Sequence, residues 1–526
     1  MAPQKSERGT VPQGRRKTVP TDGRSRGGKA APVNEQTGQL GLRFGTAENP
    51  AAQPAAGATD RAEADPSVAA THGAPKPERK EGKAMSVTME EVCERLEVAF
   101  LKVASNKGAP GPDRQSIEQV FEHLSEILPV LKTELLNGTY APGNIRRVWI
   151  EKAGGGQRGL GIPNVIDRMV QESVRQVFEP VYEPTFHEGS HGFRPGRSGH
   201  TAIAAARAHV EDGYEFVVDL DLEKFFDRVS HQRLMARLAQ RVVDRRLLVL
   251  VGKMLKASVR MPDGVVVRTE EGVPQGGPLS PLLSNIVLDE LDGELARRGH
   301  RFVRYADDCN IDVRSERAGQ RVMASVVDFI ERRMRLKVNA AKSAVARLEE
   351  RHFLGFSLRR EPLEGSSEVG LSKRSKDRID TKIRELTPRT WGRSLQACIL
   401  SLNAYLLGWI GFFGICTTEV QRTLGSLDAH IRRRLRAIQI RHWKTKRTAA
   451  RNLIQLGVGR KAAWRGAYAG RQSAWALSHA SAVERGLRNA YFAERGLVSL
   501  LDTWNARHQA LVAPVQPALA LGSKRS

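Results

Sequence analysis

The chain has 526 residues, with 83 Lys and Arg against 58 Asp and Glu and a net charge of +25. At ~150 residues per domain that is enough chain for three or four domains and a large core. Four scattered cysteines (Cys93, Cys309, Cys398, Cys416) with no C-x-x-C pair speak against a disulfide scaffold and a cysteine-rich zinc site. The basic surplus points to a polyanionic partner, either nucleic acid or an anionic membrane surface.

Residues 1–84 are rich in Gly, Pro, Ala and basic residues, and Phe44 is their only Phe, Tyr or Trp. Such a stretch cannot bury enough apolar area to offset chain entropy, so a disordered basic leader is expected there. No apolar h-region follows the basic N-terminus, so no signal peptide is read. From Met85 the pattern changes: Val92, Leu96, Ala99, Phe100 and Val103 fall on one helical face. Residues 147–152 and 160–163 read as a hairpin-like pair around a glycine loop at 154–157. Residues 166–182 read as a helix and 216–222 as a short β-rich run. Residues 302–305 and 307–313 read as two strands around a tight turn, and 320–337 as a helix. Helices mixed with a few short strands predict an α+β catalytic core.

Beyond about residue 370 the strand signals stop, and the rest reads as helical and basic. Residues 397–416 carry no charge over 20 positions, which is long enough to span a bilayer. Ser401, Asn403 and three glycines interrupt that stretch, and a buried helix is the expectation. Residues 429–480 contain no Asp or Glu but 13 Lys and Arg, interleaved with Trp443, Trp464, Tyr468 and Trp475. A solvated helix face normally mixes charge signs. Phosphate attraction with aromatic stacking is therefore the functional reading; an exposed basic face over core aromatics is the structural one.

Two carboxylates adjoin in Tyr305-Ala306-Asp307-Asp308, between the apolar runs at 302–303 and 311–313. At a hairpin turn such a pair can hold a divalent metal, since Mg²⁺ prefers hard oxygen ligands; a surface turn also favours Asp. A second acid ends the other β-rich run, in Asp219-Leu220-Asp221-Leu222-Glu223-Lys224-Phe225-Phe226-Asp227. A two-metal site needs acids from two such strand ends. Gly272-Val273-Pro274-Gln275-Gly276-Gly277 gives a rigid loop opening a helix, suited to lining a nucleotide pocket.

From about residue 104 to about 501 the chain resembles a bacterial group II intron reverse transcriptase and maturase. Its blocks stand in that family's order: Asn106 with Gly108-Ala109-Pro110-Gly111-Pro112-Asp113, Arg158-Gly159-Leu160-Gly161-Ile162-Pro163, His191-Gly192-Phe193-Arg194, Asp221 with Phe226-Asp227, Pro274-Gln275-Gly276, and Tyr305-Ala306-Asp307-Asp308. Leu336, Lys342 with Ser343, and Phe353-Leu354-Gly355-Phe356 follow. The resemblance implies an α+β right-hand polymerase: fingers and palm over 85–365, an all-α thumb and maturase (X) domain over 366–450, and a basic DNA-binding-like region over 451–526.

It also implies roles for individual residues. Asp221, Asp307 and Asp308 would be catalytic and bind two Mg²⁺ ions, with Mn²⁺ able to substitute. Lys152, Arg158, Phe226, Gln275 and Lys342 would form the nucleotide site. Lys152 and Arg158 would clamp the triphosphate, and Phe226 would bar the 2′-hydroxyl unless it is a core Phe. Arg194 would contact the template region, and Arg432, Arg433, Arg434, Arg436, Arg441, Lys444, Lys446 and Arg447 would bind RNA.

The implied partners are group II intron RNA, an RNA template with a DNA primer, target DNA and deoxynucleoside triphosphates, without a membrane. The implied setting is the bacterial cytoplasm, at the nucleoid when acting on DNA. The implied function is assisted splicing of the intron and its copying into DNA during retrohoming. The alternatives are an RNA-binding splicing factor with little polymerase activity, or a reverse transcriptase recruited to phage defence. No cysteine-paired His-Asn-His nuclease block follows, so second-strand cleavage by the protein itself is not expected.

Overall fold

The structure is a computed structural model, which describes residues 87–151, 155–360, 367–388, 392–417, 419–469 and 473–512. The expected leader at 1–84 and Lys152 lie outside the described residues. The amphipathic segment after Met85 forms two helices, α1 (Met89–Glu94) and α2 (Leu96–Ser105), with Arg95 between them. Thr88 starts the first, its Oγ1 accepting from the Glu91 N–H at 3.3 Å. Val92, Leu96, Ala99, Phe100 and Val103 are all buried, as their spacing predicts.

A small four-stranded sheet follows, ordered β2-β1-β4-β5, from β1 (Ile145–Glu151), β2 (Gln157–Ile162), β4 (Val259–Arg260) and β5 (Val266–Val267). The glycine-loop hairpin of the sequence is its β1–β2 pair, with Ile150 opposite Arg158. The β4–β5 hairpin gave no sequence signal, because two-residue strands show no periodicity.

Helix α3 (Val165–Tyr182) is buried on most of its surface, including Asp167 and Arg168 in its first turn. Asp167 accepts from the Tyr140 hydroxyl at 2.5 Å and the Gly143 N–H at 3.2 Å. Arg168 donates to the Ala109 carbonyl at 2.9 Å. The Gly108–Gly111 stretch lies so close to this helix end that a Cβ on Gly108 would sit 2.3 Å from the Arg168 guanidinium. The Gly-Ala-Pro-Gly block is thus glycine-rich because it packs against a helix start.

The second sheet is antiparallel, ordered β6-β7-β3-β8, from β3 (Phe216–Leu220), β6 (Arg301–Tyr305), β7 (Asp308–Val313) and β8 (Ala344–Arg347). Both faces are covered. Val218, Leu220, Phe302 and Ile311 join one core with α2 and α3. Val217 and Val303 join a second core with helix α4 (Gly199–Glu211). Strands covered on both faces read as continuous apolar runs, which is why Phe216 to Leu220 and Phe302 to Val303 stood out in the sequence. Helix α5 (Ser280–Arg297) packs beneath this sheet, and α6 (Glu316–Asp328) ends in a π-helical stretch, Phe329–Met334.

A two-stranded hairpin, β9 (Phe356–Arg360) with β10 (Ser367–Leu371), leads into the C-terminal helices. These include α7 (Lys373–Leu386), α8 (Leu395–Phe413), α9 (Val420–His442), α10 (Lys446–Gln455) and α11 (Arg460–Tyr468). Among the described residues α8 alone is long and apolar enough to cross a membrane. Cys398, Leu402, Leu406 and Ile410 bury one face of it, but Leu400 and Leu407 are exposed. The expected buried helix is therefore buried on one side only. All four cysteines are free and buried.

Candidate active site

Strands β6 and β7 form a hairpin in which Tyr305 faces Asp308, leaving Ala306 and Asp307 as the two turn residues. Ala306 takes a left-handed backbone conformation, φ 58°. Strand β3 lies beside β7, with Leu220 opposite Cys309. Asp221, one step beyond that pair, therefore comes level with Asp308. Asp221 and the distant Asp307–Asp308 pair thus come to the same end of the sheet.

Charge at this end is poorly neutralised. Asp308 is open to solvent on one side. Loss of water on its other sides, and then the charges of Asp307, Asp219 and Asp221, push its carboxyl up to about 7, with Lys342 opposing. Burial raises Asp307 as well; Arg158 and Arg304 oppose the rise and Asp221 adds to it. Hard oxygen donors that repel one another fit a divalent cation. Among the described residues, however, no three His, Cys, Asp or Glu side chains close into a ligand cluster.

Of the expected nucleotide-site residues, Arg158 and Lys342 bear on these acids. Arg158, exposed on β2, interacts electrostatically with Asp307. Lys342 places its ammonium 3.4 Å from Asp221 Oδ2. Asn339 and Ser343 hold the Asp221 backbone: the Asn339 N–H donates to its carbonyl at 2.8 Å, and its N–H donates to Ser343 Oγ at 3.0 Å. Phe226 is half-buried, edge-on to Phe225 with ring centroids 5.3 Å apart. Its carbonyl accepts from the Val273 N–H at 2.6 Å, tying it to the Pro-Gln-Gly loop. Gln275 is half-buried in that loop, and its carbonyl accepts from the Gly161 N–H at 2.6 Å. Gly276, at φ 124°, lies so close to β2 that a Cβ would be 2.4 Å from the Gly161 carbonyl oxygen. The two blocks are glycine-rich because one backbone rests on the other.

Three arginines expected to touch RNA are engaged inside the protein instead. Arg194 is buried and donates to Glu183 Oε1 at 2.9 Å and to the carbonyls of His187 and Ser190 at 2.6 and 2.8 Å. Arg436 is buried and donates to the Leu487 carbonyl at 2.9 Å and to Glu484 at 3.4 Å. Arg434 reaches across to α7, donating to the Thr387 hydroxyl and, at 2.6 Å, to the Thr387 carbonyl. These side chains fasten loops and helices; composition counted their charge but not their direction. Arg433, Arg441, Lys444, Lys446 and Arg447 are exposed, and Arg432 is half-exposed. Lys446 lies over the exposed Tyr468 ring at 5.6 Å, and Tyr468 stacks on Trp464 at 5.6 Å.

Two partners of the site went unread in sequence. Arg351 Nε lies 3.4 Å from Asp219 Oδ2, so the acid next to Asp221 has its own counter-charge. Arg304, fully buried, directs its guanidinium at the β6–β7 turn, donating to the Ala306 carbonyl. Neither arginine stands in a spacing that marks it out; Arg304's position one residue before Tyr305 was its only signal.

Residues 150–358 match the family model described as reverse transcriptase (RNA-dependent DNA polymerase), and residues 376–456 match the group II intron maturase-specific domain. The chain is 42% identical over 200 residues to Protein YkfC of Escherichia coli, covering 37% of this chain and 52% of that one. It is 37% identical over 210 residues to the group II intron-encoded protein LtrA of Lactococcus lactis, covering 39% and 34%. The matched stretch thus spans about half the length of the first relative and a third of the second. A solved structure titled "Partial Cas6-RT-Cas1--Cas2 complex" aligns over 47% of this chain and 43% of that one, with 22% identity and a TM-score of 0.31. That score is too low to bear on function.

Proposed function

We propose that this chain, which carries a reverse transcriptase domain followed by a group II intron maturase-specific domain, is an RNA-directed DNA polymerase that also holds intron RNA for splicing. On this reading it copies the intron into DNA at a target site. Residues 85–365 are the fingers and palm, 366–450 the thumb and maturase domain, and 451–526 a basic DNA-binding region. The protein works in the cytoplasm, at the nucleoid when it acts on DNA. The observation that carries the polymerase reading is the meeting of Asp221, Asp307 and Asp308 at one sheet end, with Arg158 acting on Asp307.

Reverse transcriptases work with divalent metal ions. Here Asp221, Asp307 and Asp308 would hold two Mg²⁺, with Mn²⁺ as a substitute, and their donor set fits. When bound, such ions supply the positive charge that activates the primer 3′-hydroxyl and stabilises the leaving pyrophosphate. The remaining work falls to the chain itself. Arg158 brings a fixed positive charge to the triphosphate, where charge-assisted hydrogen bonds are strong. Lys342, now beside Asp221, is free to turn to a phosphate once that carboxylate is otherwise neutralised. The Phe226 ring occupies the space a 2′-hydroxyl would need, and Gln275 lines the pocket floor. Exposed Arg433, Arg441, Lys444 and Arg447 neutralise phosphates of folded RNA.

The test is primer extension on an RNA template with Mg²⁺. Changing Asp307 and Asp308 together to Ala is expected to abolish cDNA synthesis, by ~10³-fold or more, because two ligands vanish at once. RNA binding, measured by filter retention, is expected to persist. Undiminished extension by the double variant would overturn the assignment of these acids. A wild-type chain that promotes splicing but extends no primer would favour a pure splicing factor.

A further inference from the structure

Arg304 lies on β6, two residues before the turn, and is fully buried. All five of its guanidinium N–H donors are engaged. Nε and Nη2 donate to the two oxygens of Asp292 on α5, at 2.7 and 2.5 Å. Nη2 also donates to Ser190 Oγ at 2.7 Å, and Nη1 to Asn285 Oδ1 at 3.1 Å. The last bond runs from Nη1 to the Ala306 carbonyl, at 2.8 Å. Asp292, Asn285 and Ser190 are themselves fully buried.

The segment 189–192 completes the bed under the turn. The Arg304 N–H donates to the Gly189 carbonyl at 2.7 Å, and its carbonyl accepts from the His191 N–H at 2.8 Å. Asn285 Nδ2 donates to the Gly192 carbonyl at 2.8 Å. Gly192 is so close to the turn that a Cβ there would sit 2.3 Å from the Ala306 nitrogen.

A buried ion pair is a poor device for stability alone, because a well-packed apolar pair of similar volume serves as well or better. An apolar pair cannot hold a carbonyl. The Ala306 carbonyl belongs to the peptide unit whose nitrogen is that of Asp307, so fixing it fixes the plane from which the Asp307 side chain departs. The turn needs such fixing, since Ala306 carries a β-carbon in the left-handed region. We propose that Arg304 is the positioning residue of the catalytic turn: Nη1 holds the peptide plane before Asp307, while Asp292, Asn285 and Ser190 hold the guanidinium. Arg304 touches no substrate. The inference rests on the polymerase reading of the turn.

The test uses the full chain. Arg304→Lys keeps the charge but has three donors and no planar fork. Arg304→Met combined with Asp292→Leu removes both charges together, and Ser190→Ala removes one acceptor only. Two readouts are taken once thermal melts show folding: kcat and KM for nucleotide in primer extension, and amide hydrogen exchange across residues 302–313 without metal or nucleic acid. The first two variants are expected to lose about 10- to 100-fold in kcat, with KM within about twofold. Exchange at the hairpin should rise about tenfold while the C-terminal helices stay as in wild type. Ser190→Ala should shift both readouts the same way by a few-fold. A folded Arg304→Lys or double variant with wild-type kcat and exchange would overturn the proposal. Should neither fold, an unchanged Ser190→Ala protein would do so. A wild-type chain that extends no primer removes the polymerase reading instead, and the exchange measurement still decides whether Arg304 holds the turn.

Discussion

Phe226 is a packed side chain that the proposed function also gives a selecting role. Its ring meets Phe225 edge-on and leans on the core, yet stays half exposed. The bond from Val273 to its carbonyl fixes the backbone that aims the ring. Phe226→Val should raise ribonucleotide over deoxynucleotide incorporation about tenfold, a typical reach for a change of a few methylene-sized groups in a pocket. Competing the two nucleotide types on one template measures this ratio. The same change should cost about 1–3 kcal/mol of stability, since only part of the ring is buried. A large stability loss with an unmoved ratio would make Phe226 a core residue and place the sugar gate elsewhere.

At the level of elements, the decisive contact is between the Pro-Gln-Gly loop and strand β2. Gly276 lets two backbones approach where a side chain would hold them apart. This contact joins the small sheet carrying Arg158 to the loop carrying Gln275, so that the two keep one spacing. Gly276→Ala adds a Cβ 2.4 Å from a backbone oxygen, at φ 124°, where L residues are strained. The strain is of order 1–3 kcal/mol, and the simplest relief is for the loop to lift from β2. Steady-state kinetics should then show a several-fold rise in nucleotide KM, with the carboxylates undisturbed. A wild-type KM in a destabilised protein would mean that the loop does not shape the pocket.

Across the whole molecule, positive charge divides into two populations. Arg194, Arg434 and Arg436 hold loops and helices together, whereas Arg433, Arg441, Lys444 and Arg447 face solvent near the end of α9 and the start of α10. Replacing the four exposed residues by Gln should weaken intron RNA binding and flatten its dependence on log salt by about 2–3, at roughly 0.7 for each phosphate that is no longer neutralised. Splicing at low Mg²⁺ should fall, and extension of a short primer should fall less. Binding curves at several salt concentrations check the slope, and a slope equal to wild type would move the RNA face elsewhere. Arg436→Gln should act differently, lowering the melting temperature by removing donors to Leu487 and Glu484.

Local chemistry determined much of this protein without its fold. Paired acids at a turn, a glycine-rich loop, apolar runs of strand length and an acid-free basic window are all properties of neighbouring residues. They sufficed to mark the Asp307–Asp308 pair, the acidic run at 219–227, the hairpins β1–β2 and β6–β7, and the helical C-terminal part, while Asp221, Arg158 and Gln275 were singled out by the family resemblance. The amphipathic face of α2 was legible for the same reason: its period is written in the residues themselves. Tertiary structure alone decided direction and partnership. Whether an arginine faces RNA or a carbonyl depends on residues some 50 positions away, as with Arg436 and Leu487. The β4–β5 hairpin is too short to carry a period, and its strand β4 is ordered by pairing with distant β1. Arg304 shows the limit most sharply. A buried charge is stable only where its acceptors already stand, and those acceptors come from three separate segments brought together by the folded chain.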